Sequence, residues 1–372
     1  MHCIYAHIFN DYSGSFPLSV WVKITIFVAM VRLWKIVFVL CASAISLWCV
    51  DGLVMSEKVL FKSKPQPDSV KLLFIGDIMA HTPQIVKAKR VSGYDFKPCF
   101  RYVKPIVSSA DYAVANLETT LTDTPPYTGY PRFRSPSQIA DALVDAGVDM
   151  VTTANNHTLD NGTDGVFQTI EITRRAGLEV IGTSRPNPLI VNVKGFSIAF
   201  LTYTHSTNGI AIPSGVTVPM LDTVCMARDL ELCRDADCRV AFLHWGAEYV
   251  TRPSRNQLEI ADFLHRSGCE VVIGSHPHAV QRAECSKSRV TVYSLGNFIS
   301  NQSTRYSDGG VMAEVTVVRG EDGCEFSVNI IPVWVDRSDY AVIPRSVGDT
   351  LGLGADYELF MSDCEKIVKN VQ

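Results

Sequence analysis

The stretch VKLLFIGD, residues 70–77, is a short apolar run that ends in a carboxylate. A continuous apolar run of this length is typical of a strand that is buried on both faces of a sheet. Similar runs follow along the chain as YAVANLE (112–118), VDMVTTANNH (148–157), RVAFLHWG (239–246) and CEVVIGSHPH (269–278). Because helix-like stretches separate them, the sequence predicts an α/β fold in which helices cover a central system of sheets.

The predicted helices are marked by residues at their ends. In SPSQIADALVDAG (135–147), Ser135 is placed to cap the helix, Pro136 suits its first turn and Gly147 ends it. A second helix is expected from about Asp164 to Ala176. Further expected elements are a strand at 178–181, a hairpin within 189–204 that turns near 194–195, a helix at 254–268, and strands at 289–298, 311–318 and 326–335.

Composition excludes one class of partner. The chain has 372 residues, of which 47% are hydrophobic and 19% charged, and its formal net charge is -4. A nucleic-acid binder needs clustered Lys and Arg to neutralise phosphates, and no dense basic block occurs. We therefore expect no nucleic-acid partner, and a core large enough for one large domain or two smaller ones.

Two apolar runs, residues 24–31 and 36–50, lie near the N-terminus and are separated by Arg32 and Lys35. If translation begins at Met30, a basic start followed by an apolar run has the form of a signal peptide. If it begins at Met1, the two runs together are long enough to span a bilayer. We expect residues 1–50 to be a signal peptide or membrane anchor, residues 51–69 a linker, and the main domain to be exported to the cell envelope. A buried core helix is the alternative interpretation.

The eleven cysteines do not identify the compartment, because their number is odd and no CxxC pair occurs. Cys225, Cys233 and Cys238 have spacings that match no common zinc finger. Buried or disulfide-paired cysteine is the better interpretation, so we assign them no metal.

Polar residues collect just past the predicted strand ends, where they number nine: Asp77, Asn116, Glu118, Asn155, Asn156, His157, His244, His276 and His278. Strand ends in open α/β sheets converge on one crevice, so these side chains predict a single site. Carboxylate, amide and imidazole form a mixed set suited to Mn, Fe or Zn. Taken singly, each has a plainer interpretation: Asp77 as a cap for a helix near Thr82, the asparagines as a turn, His244 as a core residue.

The segment His276-Pro277-His278 predicts more than one ion. Proline favours an extended backbone at the residue before it, and alternate residues of an extended segment point to opposite sides. The two imidazoles would then bind different metals, with Glu118 or Asp77 between them. A dinuclear site of this kind activates a water and holds a phosphoryl or carbonyl oxygen.

Six motifs occur in an order that resembles the capsule-synthesis protein CapA family, associated with poly-γ-glutamate capsules and related to calcineurin-like metallophosphoesterases. They are GDIMAH (76–81), NLETTLT (116–122), TANNHTLDNG (153–162), HWGAEY (244–249), GSHPHAVQ (274–281) and YSLGNF (293–298). The resemblance implies a four-layer α/β/β/α sandwich of the metallophosphoesterase type over residues 70–335, followed by a C-terminal extension, 336–372. It also implies an exported, membrane-associated protein.

The resemblance assigns roles to individual residues. Asp77 would be the first metal-binding aspartate, Glu118 the bridging acid and Asn156 the amide ligand, while His157 would contact the scissile group and help to protonate the leaving group. His244 and His276 would complete one metal and His278 the other; His157 and Asp77 are the candidate catalytic residues. The family pattern of phosphoesterases has a histidine where this chain has Met79, so His81 or water would fill the position, or one ion alone would bind tightly.

Two functions remain in competition at this point. The first is a membrane-associated capsule or poly-γ-glutamate biosynthesis protein with a hydrolytic divalent-metal site, acting on a phosphoester or on an amide of an anionic polymer. The second is a non-catalytic envelope component that binds such a polymer, with Arg132, Arg134 and Arg252 as carboxylate contacts. Other capsule-biosynthesis membrane proteins are candidate partners of either. A soluble metabolic enzyme conflicts with the N-terminal segment.

Overall fold

The computed structural model describes residues 68–321 and 323–368. The predicted signal peptide or anchor, residues 1–50, lies outside the described residues, as does nearly all of the predicted linker. Within the described ranges, no helix has both the length and the apolar character needed to cross a bilayer.

Sixteen strands run through the described part of the chain: β1 (Ser69–Ile78), β2 (Tyr112–Leu117), β3 (Thr120–Thr122), β4 (Arg134–Pro136), β5 (Met150–Thr152), β6 (Glu179–Ile181), β7 (Leu189–Val193), β8 (Phe196–Thr204), β9 (Cys238–His244), β10 (Val271–Ser275), β11 (Ala283–Ser286), β12 (Arg289–Val292), β13 (Asn297–Ile299), β14 (Gly309–Arg319), β15 (Cys324–Asp336) and β16 (Ala341–Pro344). The helices of the same part are α1 (Thr82–Ala88), α2 (Lys97–Phe100), α3 (Lys104–Val107), α4 (Gln138–Ala146), α5 (Gly162–Ala176), α6 (Thr223–Leu232), α7 (Arg255–Arg266), α8 (Arg345–Leu351) and α9 (Ala355–Val368).

The strands form two large sheets and one small one. The first has the order β16-β15-β14-β1-β2-β5-β6, with β13 also paired to β1; the second has the order β11-β12-β10-β9-β8-β7; β3 and β4 pair alone. The centre of each large sheet is parallel: β1, β2, β5 and β6 in the first, and β8, β9, β10 and β12 in the second. The predicted α/β fold is confirmed.

Two adjacent residues of β1, whose side chains point to opposite faces, show how the sheets pack. Phe74 of β1 lies in the core shared with the second sheet, where its ring meets Phe242 of β9 edge-on at 6.2 Å between ring centroids. Leu73, which points the other way, belongs to a core shared with the helices of the first sheet. Leu243 likewise packs with the helices of the second sheet. Each large sheet therefore faces the other sheet on one side and helices on the other.

The residues at which helices and turns begin and end were predicted in part. Gly147 ends α4 and Gly177 ends α5, both with positive φ, and the β7–β8 hairpin turns at Lys194 and Gly195 as expected. The predicted start of α4 was wrong: Ser135 lies in β4, and the residue before the helix is Ser137. The hydroxyl of Ser135 is 2.6 Å from that of Thr119, so tertiary contacts hold this segment in a strand.

The last described residues are part of the sheet architecture. β16 pairs with β15 at the edge of the first sheet. Tyr357 and Phe360 of α9 join the inter-sheet core, and the ring of Tyr357 meets Trp334 of β15 edge-on at 5.9 Å. β16 thus extends the antiparallel end of the first sheet, and α9 packs against that end.

Candidate metal centre

The strand ends bring the expected side chains together. Asp77 lies near the end of β1, Glu118 directly follows β2, and His244 ends β9, while His276 and His278 follow β10. Asn156 and His157 come from the loop after β5. All of these residues are buried, with Asp77 and Glu118 fully shielded from solvent. The parallel centres of both sheets deliver their carboxyl ends to one place, as the sequence predicted.

The two carboxylates sit among the imidazoles. Asp77 Oδ2 is 3.0 Å from His278 Nδ1, and Asn116 Nδ2 donates to Asp77 Oδ1 at 2.8 Å. Glu118 Oε1 lies 3.6 Å from His244 Nε2 and 3.8 Å from His278 Nε2. His244 Nε2 is in turn 2.9 Å from Asn156 Oδ1. The backbone N–H of His276 donates to Asp77 Oδ2 at 3.4 Å, so every expected ligand lies beside at least one other.

Two buried atoms of this cluster have no hydrogen-bond partner, Glu118 Oε1 and His276 Nδ1. An unsatisfied buried polar atom is costly, so two of them aimed into one cluster call for a further group. Ligand atoms of Glu118, His276 and His278 lie within 4.8 Å of one another, and so do those of Asp77, Glu118 and His244. The residues present fit divalent ions, with Glu118 common to both groups.

The charged forms of the buried acid and imidazole groups in this cluster are unfavourable without a cation. Burial first, and then the nearby charge of Asp77 and of Glu248, raise the pKa of Glu118 well above its ordinary value. Burial and the neighbouring imidazoles lower the pKa of His244, and that of His276 to about 2. Neutral imidazoles keep a free lone pair, which is the form that binds a metal.

The backbone at the two neighbouring histidines differs from the expectation. His276 has φ 93° and His278 φ 53°, so neither is extended, and the prediction that Pro277 holds them on opposite sides of a strand was wrong. β10 ends at Ser275, and the Pro277 carbonyl accepts from the backbone N–H of Tyr249 at 2.7 Å, which stabilises a turn. Positive φ at non-glycine residues is strained and is frequent at functional sites.

Met79 and His81 follow the first strand but do not act alike. Met79 is buried, and its backbone N–H donates to Ile299. His81, rather than Asp77, is the residue before α1, and its Nδ1 is 3.1 Å from Gln84 Oε1. Burial lowers the pKa of His81 to about 4, with His278 and His157 adding to the effect. His81 is therefore near the cluster but is held by α1 rather than by the carboxylates.

His157 forms a second unit beside the cluster. Its Nδ1 is 2.8 Å from Asp160 Oδ2, and the same carboxylate oxygen accepts from the Phe133 backbone N–H at 2.6 Å. The Phe133 ring lies edge-on to both His157 and His81, with centroids 4.7 and 5.1 Å away. Sequence reasoning missed Asp160, although its position three residues after His157 within TANNHTLDNG was a usable signal.

His205 was also missed, because it follows β8 rather than one of the strands that carry a motif. Its ring centroid is 4.4 Å from that of His276, and its Nδ1 is 3.0 Å from the His244 carbonyl. The ring covers His276 at the edge of the site.

A cleft of about 260 Å³ opens beside His157, and its lining residues are Tyr130, Pro131, Arg132, Asn156, His157, Asp160, Asn208, Ile210 and Glu248. Of the three arginines expected to contact carboxylates, Arg132 lines this cleft. Arg134 instead donates to the carbonyls of Thr124 and Pro126, so its role is to hold a loop. Arg252 is exposed and does not line the cleft.

Comparison with known proteins agrees with the motif order. The family model "Bacterial capsule synthesis protein PGA_cap" matches residues 71–302. The chain is 28% identical over 298 residues to the capsule biosynthesis protein CapA of Bacillus anthracis, covering 74% of this chain and 71% of that protein. It is 28% identical over 258 residues to the PGA biosynthesis protein CapA of Bacillus subtilis (strain 168), covering 66% and 67%.

Two solved structures are more distant. The sulfate thiohydrolase SoxB of Thermus thermophilus has 13% identity and a TM-score of 0.44, with 80% of this chain and 60% of that chain covered. The 5'-nucleotidase of Candida albicans SC5314 has 12% identity and a TM-score of 0.42, with 80% and 58% covered. The chain thus spans less than two thirds of either. With a family model that matches most of its length, the chain belongs to the bacterial capsule synthesis protein PGA_cap family.

Proposed function

We propose that this protein is a membrane-associated, extracytoplasmic hydrolase of capsule or poly-γ-glutamate biosynthesis, with one or two divalent ions, Mn, Fe or Zn, at its catalytic centre. The observation that carries the proposal is the buried acid–imidazole cluster with two unpartnered atoms, Glu118 Oε1 and His276 Nδ1. The family and the names of its CapA relatives support the biological setting. The apolar runs at 24–31 and 36–50 support the location.

The roles of the residues follow from their contacts. Asp77, Glu118, Asn156, His244, His276 and His278 would hold the metal. Divalent ions bound there would supply an activated water and stabilise negative charge on a phosphoryl or carbonyl oxygen. His157 lies beside the cluster with its Nδ1 2.8 Å from Asp160 Oδ2, a contact that fixes the orientation of the ring. Its Nε2 is thereby available to give a proton to the leaving group.

The test is elemental analysis of the purified full-length protein and of its Asp77→Ala and His276→Ala variants, with hydrolysis of bis(p-nitrophenyl) phosphate and of γ-glutamyl oligomers measured in added Mn²⁺. We expect the wild type to carry divalent metal and to hydrolyse one substrate class, and both variants to lose metal and activity together. Full metal retention in both variants would contradict the assignment of the ligands. A metal-loaded wild type that hydrolyses neither substrate would favour the non-catalytic polymer-binding function.

The location has a separate test. Protease added to intact cells or spheroplasts is expected to digest the main domain, and deletion of residues 1–50 is expected to release or mislocalise it. An unchanged location after the deletion would remove the envelope assignment without affecting the metal centre.

A further inference from the structure

The cleft beside His157 carries opposite charges. Arg132 and Glu248 both line it and both are exposed to solvent. Among the described residues, none forms an ion pair with the Arg132 guanidinium or with the Glu248 carboxylate, although the Tyr249 side chain hydrogen-bonds to Glu248. Neither charge is therefore neutralised by an opposite charge of the protein. The remaining lining is made of neutral side chains together with the bonded pair of His157 and Asp160.

These charges suit a chain end better than the interior of an anionic polymer. An interior segment presents carboxylates in series and is attracted by a run of cations. Of the described residues that line the cleft, Arg132 is the permanently charged cation, and Glu248 would repel a second carboxylate. A group that combines one carboxylate with one ammonium satisfies both residues, since Arg pairs with carboxylates in a bidentate manner and Glu pairs with an ammonium.

We propose that this cleft binds the amino-terminal residue of a γ-linked glutamyl chain, with its free α-carboxylate on Arg132 and its α-ammonium on Glu248. The inference rests on the proposed function and narrows it to removal of residues from the chain end. A volume of about 260 Å³ is below the range of drug-sized ligand pockets and agrees with a single terminal residue.

The resulting reaction is balanced by water alone. The C–N bond of the γ-amide breaks and a C–O bond forms, so the released glutamate gains a γ-carboxylate. The nitrogen stays with the shortened chain and takes up a proton through His157, which gives a new α-ammonium end. Each cycle therefore recreates the group that Arg132 and Glu248 recognise.

The experiment measures binding of three γ-glutamyl tetramers to the full-length, Mn²⁺-loaded protein in a His157→Gln background, which slows turnover enough for binding to be measured. The tetramers have a free amino terminus, an N-acetylated terminus, or an α-amide in place of the first carboxylate. We expect either cap to weaken binding about ten- to hundredfold, the range for a hydrogen bond to a charged group. Glu248→Gln should weaken binding of the free tetramer and leave binding of the acetylated one unchanged. Arg132→Gln should weaken binding of the free and acetylated tetramers and leave binding of the α-amide tetramer unchanged.

The matched controls are Glu259→Gln and Arg255→Gln, an exposed pair on α7 that should leave all three affinities unchanged. Equal binding of the free and acetylated tetramers overturns the inference, as does a wild-type-like response of both cleft variants. No measurable binding of the free tetramer overturns it as well. Metal content is measured in every sample. If the protein holds its metal but binds the three tetramers equally, the chain-end site alone is refuted. If the protein holds no metal, the proposed function is refuted.

Discussion

At the scale of single residues, Glu118 has the most demanding position. It is fully buried, shares its neighbourhood with Asp77, and belongs to both of the ligand groups that the structure brings together. Removing one partner of a buried charged cluster leaves the remaining groups uncompensated. A carboxylate in this position is therefore tied to the ions that it would hold.

The shared position of Glu118 predicts an unequal result for two substitutions. Glu118→Gln is expected to lose all bound metal, because both ligand groups contain this carboxylate. His278→Ala is expected to lose one ion and keep the other, because His278 belongs to one group only. Metal-to-protein ratios measured by mass spectrometry after dialysis give the answer, with the exposed Asp123→Asn as the control. Equal ratios for the two variants would refute a shared ligand.

His157 is expected to affect the rate without affecting the metal. In His157→Gln, kcat should fall about 10²- to 10⁴-fold, the usual contribution of a general acid, while metal content matches that of the wild type. Asp160→Asn should lower kcat less and shift its pH profile, because it acts through the ring of His157. The control is His265→Gln, a histidine of α7 whose Nε2 is 2.7 Å from the hydroxyl of Thr291 in β12. Loss of metal in His157→Gln would show that the residue is a ligand instead.

At the scale of elements, the close approach of β10 to its neighbours depends on one glycine. A Cβ at Gly274 would lie 2.0 Å from the Tyr293 carbonyl oxygen and 2.4 Å from Trp245 Nε1. These two atoms are hydrogen-bonded to each other at 2.9 Å. The strand that delivers Ser275 and the following histidines therefore packs against a fixed bond, not against a movable side chain.

Gly274→Ala is expected to reduce the free energy of unfolding by about 3 kcal/mol and to reduce metal binding, since backbone atoms must move to admit the methyl group. The comparison is Gly93→Ala, at a glycine with φ 86° and open space around the added Cβ. There the cost is conformational and should be about 1–2 kcal/mol. Urea denaturation of both variants measures the difference, and equal destabilisation would refute the packing argument.

The strands of the parallel centres could be predicted from sequence because they are buried on both faces and appear as continuous apolar runs. The backbone of the SHPH turn could not, because φ at His276 and His278 is set by contacts with Tyr249 and with Asp77, residues remote in sequence. The segment 134–136 failed as a helix start for the same reason. Local capping signals were overridden by pairing with β3.

At the scale of the whole molecule, the eight described cysteines are all free and differ in burial. Burial raises the pKa of Cys99 to about 12 and of Cys233 to about 11, and also raises that of Cys238, Cys269 and Cys364. Thiolates are the reactive form, so these five should resist alkylation in the native state. Cys225, Cys285 and Cys324 are partly exposed and should react first, although burial also raises the pKa of Cys285 and Cys324.

The measurement is N-ethylmaleimide labelling at neutral pH, followed by peptide mapping, with a urea-unfolded sample as the control. In urea all eight described cysteines should react at similar rates. Rapid native labelling of Cys238 or Cys269 would contradict the packing of β9 and β10.

The contact between Asp77 and His278 joins residues that are 201 positions apart. Neither half of the chain contains a complete set of ligands. The entropy cost of closing so long a loop must be met before the contact can stabilise the fold. A nascent or truncated chain therefore has little with which to retain an ion. We therefore expect the metal to bind only after the chain has folded. During refolding, a metal-sensitive dye should detect metal uptake last, after both sheets have formed.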